Sequence, residues 1–520
     1  MVSQILTATV IGLDAYKITV EVDMNQSIPS VSIVGLPDTA ISEARERVRS
    51  AIKNSGFDFP NKKIIINLAP ADIKKEGSNY DLPIAIGILS QSGIINHETF
   101  KNTAFIGELS LDGSIRNIKG ILPIVSGLKE LNIADIVVPF ENAKEAALVP
   151  DVNIYPAKKL SDVVNHFIVD NEQQAKLTPF KMDINEYMIS HNNTGEVVFD
   201  FKDVKGQQKA KKALEIAAAG GHNILMMGPP GSGKTLLSKC FASILPPLQI
   251  EEAIELTKIY SVSGLLDSNK PLLTKRPFRM VHHTASAIGI IGGGTNPKPG
   301  EITLAHRGVL FLDEIVEFPR NVLEVLRQPI EDGEVIISRA QMRVRFPADF
   351  TLLAAMNPCP CGYLGDYEKK CICNEFQITR YRSKLSGPLL DRIDIQIEVP
   401  RLKVDDLLNK NFETESSTQI RERVIKARNI QTQRYRNINI FTNSELTPKL
   451  IKKFCPLDNE SEELLKSAIQ RFNLSGRAYD RLIKLSRTIA DLEGAFDITA
   501  SHIAQSIQYR NFIEPSMASF

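Results

Sequence analysis

Gly228-Pro229-Pro230-Gly231-Ser232-Gly233-Lys234-Thr235 spells a complete G-x-x-x-x-G-K-T phosphate loop. The apolar run Ile224-Leu225-Met226-Met227 supplies the strand such a loop must leave, and the helix-forming run from Leu236 to Leu245 follows directly. The chemistry explains the spelling. Gly228, Gly231 and Gly233, with Ser232 between them, let backbone N–H groups approach phosphates, Lys234 reaches the β- and γ-phosphates, and Thr235 ligates Mg²⁺ at a helix N-terminus. A bare Gly/Pro turn would account for the glycines but not for the flanking strand and helix. The expected cofactors are therefore ATP and Mg²⁺.

Further along, Val309-Leu310-Phe311-Leu312 reads as a buried strand and ends in Asp313-Glu314. Two acids at a strand end are ordinarily solvated side chains. Downstream of a phosphate loop they form a Walker B pattern, in which Asp313 holds Mg²⁺ and Glu314 polarises the attacking water. A third apolar strand, Thr351 to Met356, ends in the single amide of Asn357.

The 520 residues predict several domains, and 43% hydrophobic with 24% charged content is that of an ordinary soluble protein. No apolar stretch approaches the ~18 residues of a membrane span. The start, Met1 to Leu6, lacks the features of a signal peptide, so a cytoplasmic location and no membrane partner are expected. With a net charge of +1, any nucleic-acid contact must come from a local basic surface.

Alternating short strands and helices, with helical stretches at Asp38 to Asn54 and Leu82 to Ser90, predict an α/β or α+β domain over 1–167. Residues 168–196 are polar and irregular and read as a linker carrying at most one short helix. A second α/β unit is expected over 197–400, and a helical domain over 401–520, where apolar residues recur at three- and four-residue spacing. The basic run Arg421, Arg423, Lys426 and Arg428 reads as a solvated helix face.

The order of these elements resembles the magnesium-chelatase-like branch of the AAA+ superfamily and, within it, the bacterial YifB/ComM proteins, over nearly the whole chain. The carriers are residues 67–78, Asp203-Val204-Lys205-Gly206-Gln207, Gly221-His222-Asn223 and the run from Gly308 to Glu314. The resemblance implies an α/β fold with an AAA+ P-loop ATPase core, an N-terminal Lon-protease-like (S5 domain 2-like) α+β domain and a C-terminal helical lid. It also implies a homo-hexameric ATPase engaged on single-stranded or branched DNA, as in branch migration during integration of transforming DNA. Asn357 then takes the sensor 1 position, Arg392 that of an arginine finger acting on the neighbouring subunit, and Arg477 that of sensor 2. Either arginine would otherwise be a surface ion pair.

The Lon-like segment carries Ser78 and Lys119, but in the register of the resemblance the catalytic lysine falls near Leu122, so no proteolysis is expected. The rival reading is a chelatase-type ATPase that remodels a protein partner, and a third is a nucleotide-switched scaffold.

Two segments are candidates for facing DNA. Ile290 to Gly300 is a Gly-rich loop carrying Lys298, which resembles the helix-2 insertion of that branch and equally fits a surface loop. Residues 334–346 alternate about a polar turn and predict a β-hairpin with Arg339 near its tip, able to touch phosphates. His282 and His283 read as ordinary loop residues. Cys359-x-Cys361 and Cys371-x-Cys373 are unusual in a cytoplasmic chain. Four thiolates would close a Zn²⁺ shell, with reduced surface thiols or a redox pair as the alternatives.

Overall fold

A computed structural model describes residues 2–510 except 37, 76, 169–175, 193–198, 295, 296, 340, 341, 403–413, 439 and 473. Much of the expected linker, the Thr295-Asn296 part of the Gly-rich loop, the turn of the 334–346 hairpin and the side chain of Arg339 lie outside the described residues.

The chain divides into two compact units, Met1–His191 with Gln249–Thr274, and Asn192–Leu248 with Lys275–Phe520. In the first, a seven-stranded mixed sheet begins with the antiparallel pair Ser3–Ile11 and Asp14–Asn25. Ile18, Val20 and Val22 alternate to one buried face. The helix Thr39–Asn54 is N-capped by Asp38, whose carboxylate accepts the Ile41 N–H at 2.8 Å. Helix Asp81–Gln91 is buried along nearly its whole length.

Residues 249–274 fall inside the segment expected as one α/β unit, yet they pack with the first unit. The reason is the helix Ile250–Ser263, which closes against the helix Ile121–Glu130 and the Gly120 turn. The Gly120 N–H donates to the Ser261 carbonyl at 3.2 Å, and the Ser261 hydroxyl donates to Glu145. Pro246 and Pro247 end the preceding helical stretch and let the chain depart. Arg276, on the return, donates to the Pro246 carbonyl at 2.8 Å and to the Arg307 carbonyl at 2.7 Å.

The second unit is built on a five-stranded sheet in the order Phe278–Val281, Val309–Leu312, Thr351–Met356, Ile224–Met227, Ile395–Glu398, with every neighbouring pair parallel. Strands buried on both faces need unbroken apolar runs, and all residues of Ile224–Met227 and Val309–Leu312 are buried. Parallel order also gathers all C-terminal strand ends along one edge, where open α/β sheets bind their ligands.

Ile420, Val424, Leu485 and Ile489, from helices Ser417–Tyr435 and Gly476–Glu493, belong to the same hydrophobic cluster as the sheet. The basic run on the first of these helices is a solvated face only in part, with Lys426 exposed. Arg423 pairs with Glu215 and Glu415, and Arg428 donates to the Ala218 carbonyl at 2.8 Å, both facing the helix Gln208–Gly220. A periodicity argument sees charge but not the neighbouring helix whose carbonyls and acid receive it.

Candidate nucleotide site

The loop 228–235 leaves its strand at the C-terminal edge of the sheet. The Gly228 N–H donates to the Met356 carbonyl at 3.1 Å, and a Cβ at Gly228 would lie 2.1 Å from the Val399 carbonyl oxygen, so only glycine fits there. Gly231 and Gly233 follow with φ of +78° and +90°, and Ser232 is buried between them. Lys234, also buried, donates to the carbonyls of Gly228 at 2.7 Å and Pro229 at 2.9 Å. The Thr235 hydroxyl donates to Asp313 Oδ2 at 3.0 Å. The two expected Mg²⁺ ligands, 78 positions apart, therefore already meet.

Glu314 adopts φ of +51°, a left-handed conformation costly for a residue with a Cβ, and its N–H donates to Asp313 Oδ1 at 3.0 Å. This backbone strain sits at the residue expected to polarise the attacking water. Asn357 follows the strand between those of Lys234 and Asp313, which places it on the same edge as both.

Burial pulls the Lys234 ammonium down to about 8, against the opposing pull of Asp313 and Glu314. A bound triphosphate would hold that proton on, so ATP binding above this value must take up a proton. ATP affinity should fall about twofold from pH 7 to 8 and by up to about tenfold per unit above it. Titration with a fluorescent ATP analogue at pH 7, 8 and 9 checks this, and an affinity unchanged at pH 9 contradicts it.

Arg392 and Arg477 are not brought to this edge. The Arg392 carbonyl accepts from Asn223 Nδ2 at 3.1 Å, at the N-terminal end of the Ile224–Met227 strand. Four residues at ~3.3 Å each put about 13 Å of strand between that end and the phosphate loop. Arg392 pairs with Glu331 of its own subunit. That bond to Arg392, reinforced by the charges of Arg392, Arg477 and Arg481, holds the Glu331 carboxylate below its usual range. Both predicted arginines thus share one basic surface, remote from the nucleotide loop of their own chain.

The remaining candidates lie elsewhere. Gly292-Gly293 pairs antiparallel with Lys298-Pro299, forming a short hairpin on which Lys298 is exposed. The second hairpin, Glu334–Arg339 with Met342–Pro347, pairs Arg339 with Met342 at its end. The two hairpins are neighbours, since a Cβ on Gly292 would stand 3.3 Å from Ile337 Cδ1. Cys359, Cys361, Cys371 and Cys373 converge, with all four sulfurs within 4.8 Å of one another.

Models of magnesium chelatase subunit ChlI match residues 200–407, 20–142 and, for its C-terminal part, 414–510. Over 505 residues, 96% of either chain, the protein is 44% identical to competence protein ComM of Haemophilus influenzae. It is 41% identical to YifB of Escherichia coli K12 over 511 residues, 97% of this chain and 96% of that one. The chain belongs to the YifB/ComM family of magnesium-chelatase-like proteins. A more distant relative, the magnesium-chelatase subunit ChlI homolog of Methanocaldococcus jannaschii, is 23% identical over 60% of this chain and 84% of its own.

In this YifB/ComM family member, two residues stand at the site that sequence reasoning passed over. His283 Nδ1 lies 3.6 Å from Glu314 Oε2. The signal was available in principle: the strand Phe278–Val281 runs parallel to Val309–Leu312 with Val281 opposite Leu312, so whatever follows it emerges beside Asp313. Tyr381 is buried, and burial followed by the charges of Glu317 and Glu314 raises its pKa, keeping the phenol a neutral donor beside Asn357.

The Gly221-His222-Asn223 stretch has a structural explanation. Fully buried His222 sits 3.3 Å from Asp394 and 2.7 Å from the Thr488 hydroxyl, joining the sheet to the helix Gly476–Glu493. Burial alone would raise the Asp394 carboxyl, but Arg481, with His222 and Lys484, holds it well below the usual carboxylate range.

Among the described residues, no helix is long and apolar enough to cross a membrane.

Proposed function

We propose that this chain is an ATPase that works as a homo-hexameric ring and couples hydrolysis to movement on single-stranded or branched DNA, in the manner of a branch-migration factor. The observation that carries the ATPase reading is the meeting of Thr235 and Asp313, with Lys234, Glu314 and Asn357 along the same sheet edge. Thr235 and Asp313 would hold Mg²⁺, which neutralises developing charge on the phosphates. Lys234 orients the β- and γ-phosphates, and Glu314, steadied by His283, takes up the proton of the attacking water.

The ring reading is supported by the place of Arg392. A finger about 13 Å of strand away from its own phosphate loop serves only a nucleotide held by a second copy of the chain. Arg477 lies on the same face and would act beside it. The first unit is read as a Lon-protease-like scaffold without peptidase activity, and its Ser78 hydroxyl donates to the Glu108 carboxylate. The helices beyond residue 401 are read as a lid, joined to the sheet through His222, Asp394 and Thr488. Competence, the process after which the Haemophilus relative is named, is proposed for this chain also.

Contact with DNA rests on the adjoining strand pairs that carry Lys298 and Arg339, two basic residues in a chain of net charge +1. The test is ATP hydrolysis and strand displacement with single-stranded, duplex and four-way-junction DNA. Arg339→Ala should keep DNA-free hydrolysis near wild type, lose DNA stimulation and displacement together, and lower the salt slope by about one counterion per binding chain. Unaltered branch migration in this variant would remove Arg339 from the DNA path. A wild type indifferent to every DNA would favour chelatase-type remodelling of a protein partner.

A further inference from the structure

The excursion 358–373 leaves the sheet directly after Asn357 and returns its four cysteines to one point. Sulfur separations are 3.4 Å between Cys359 and Cys361, 3.6 Å between Cys359 and Cys371, and 3.6 Å between Cys361 and Cys371. Four sulfurs at ~2.3 Å around a tetrahedral ion stand about 3.8 Å apart, whereas a disulfide holds its pair at ~2.05 Å. The spacing is therefore that of a metal shell. Backbone N–H groups are aimed at the sulfurs: Tyr363 and Ile372 toward Cys361, Gly362 and Leu364 toward Cys359, and Cys373 toward Cys371 at 3.4 Å. Such donors stabilise thiolates around a cation.

The same excursion grips the phosphate loop. Gly362, with φ of +84°, lies so close to Pro230 that an added Cβ would meet the proline ring at 2.8 Å. Arg401 reaches Asp366 at 3.1 Å, Glu368 at 2.9 Å and the Pro230 carbonyl at 3.4 Å, tying the excursion to the loop a second time. Tyr367 donates to the Leu402 carbonyl at 2.9 Å. Arg382 holds the Pro358 carbonyl at 3.2 Å, on the Asn357 side. The Asp366 side chain is covered from solvent by these contacts.

We propose that Cys359, Cys361, Cys371 and Cys373 bind one zinc-class divalent cation, and that the bound metal makes residues 358–373 a rigid bracket positioning Pro230 and Asn357 at the nucleotide site. The first part stands on the thiol geometry alone. The second rests on the nucleotide-site reading. Without the metal, no common ligand ties the four sulfurs together, so the excursion loosens, Gly362 withdraws from Pro230, and the phosphate loop loses its outer support.

The experiment uses the full-length protein. Elemental analysis should find close to one zinc per chain, and replacement by Co²⁺ should give the visible spectrum of a tetrahedral thiolate site. Cys371→Ser should lose the metal and bind ADP about tenfold more weakly, with an unchanged far-ultraviolet circular dichroism spectrum. Arg401→Gln keeps all four thiols, so it should retain zinc and still weaken ADP binding, which decides the bracket if Cys371→Ser does not fold. Folded, nucleotide-binding wild type without metal would overturn the site. Loss of metal with unchanged ADP affinity, or full ADP affinity in Arg401→Gln, would overturn the bracket. Zinc-loaded wild type that binds no ADP would overturn the nucleotide-site reading and the bracket with it, leaving the metal site standing.

Discussion

Glu314→Gln protein will bind ATP as tightly as wild type and hydrolyse it about a thousandfold more slowly, while Lys234→Ala will bind no ATP at concentrations that saturate wild type. The two residues follow the strands on either side of the Thr351–Met356 strand, on the same sheet edge, but are assigned different work. In the proposed mechanism Glu314 meets the water and not the phosphates, and removing a positioned base costs roughly 10²–10⁴ in rate. Its amide replacement keeps the shape and leaves the Thr235–Asp313 contact untouched. Lys234, by contrast, is proposed to give charged hydrogen bonds to two phosphates, each worth ~1.5–3 kcal/mol, so its loss should remove a factor of a hundred or more in affinity. Equilibrium binding of a fluorescent ATP analogue and steady-state phosphate release separate the two effects. Equal hydrolysis by wild type and Glu314→Gln would remove Glu314 from the mechanism.

The second large effect lies at the other edge of the sheet. Arg392→Ala should lower hydrolysis by about 10³ or more, the range for an arginine that stabilises charge on the transferring phosphoryl group. It should leave nucleotide binding by the monomer unchanged, because the residue is remote from its own phosphate loop. Mixing decides between trans and cis action. An Arg392→Ala subunit has an intact Glu314, and a Glu314→Gln subunit has an intact Arg392, so some interfaces in a mixed ring carry a complete site. Random assembly of equal amounts makes about a quarter of interfaces complete, and activity should rise toward that fraction of wild type. If two inactive proteins stay inactive when co-assembled, Arg392 does not act across an interface. The Glu331 partner adds a control: Glu331→Gln frees the guanidinium within the subunit and should not abolish hydrolysis.

The chain's own spelling determined the phosphate loop, the acids of Walker B and the strand before Asn357. Each is a contiguous stretch in which an apolar strand delivers a few polar residues, and that pattern is local. The same logic located the hairpin 334–347 and the four cysteines. Tertiary structure decided which of these residues meet. Only parallel register puts Thr235 against Asp313 and His283 beside Glu314, and the same register sends Arg392 to the far edge. Only packing moves residues 249–274 into the first unit and turns Arg423 and Arg428 toward a helix instead of water. The physical reason is one of range: strands and turns are set by neighbours a few residues away, whereas a site is a convergence of strand ends. Which ends lie side by side depends on burying strands on both faces, a condition that no single segment contains.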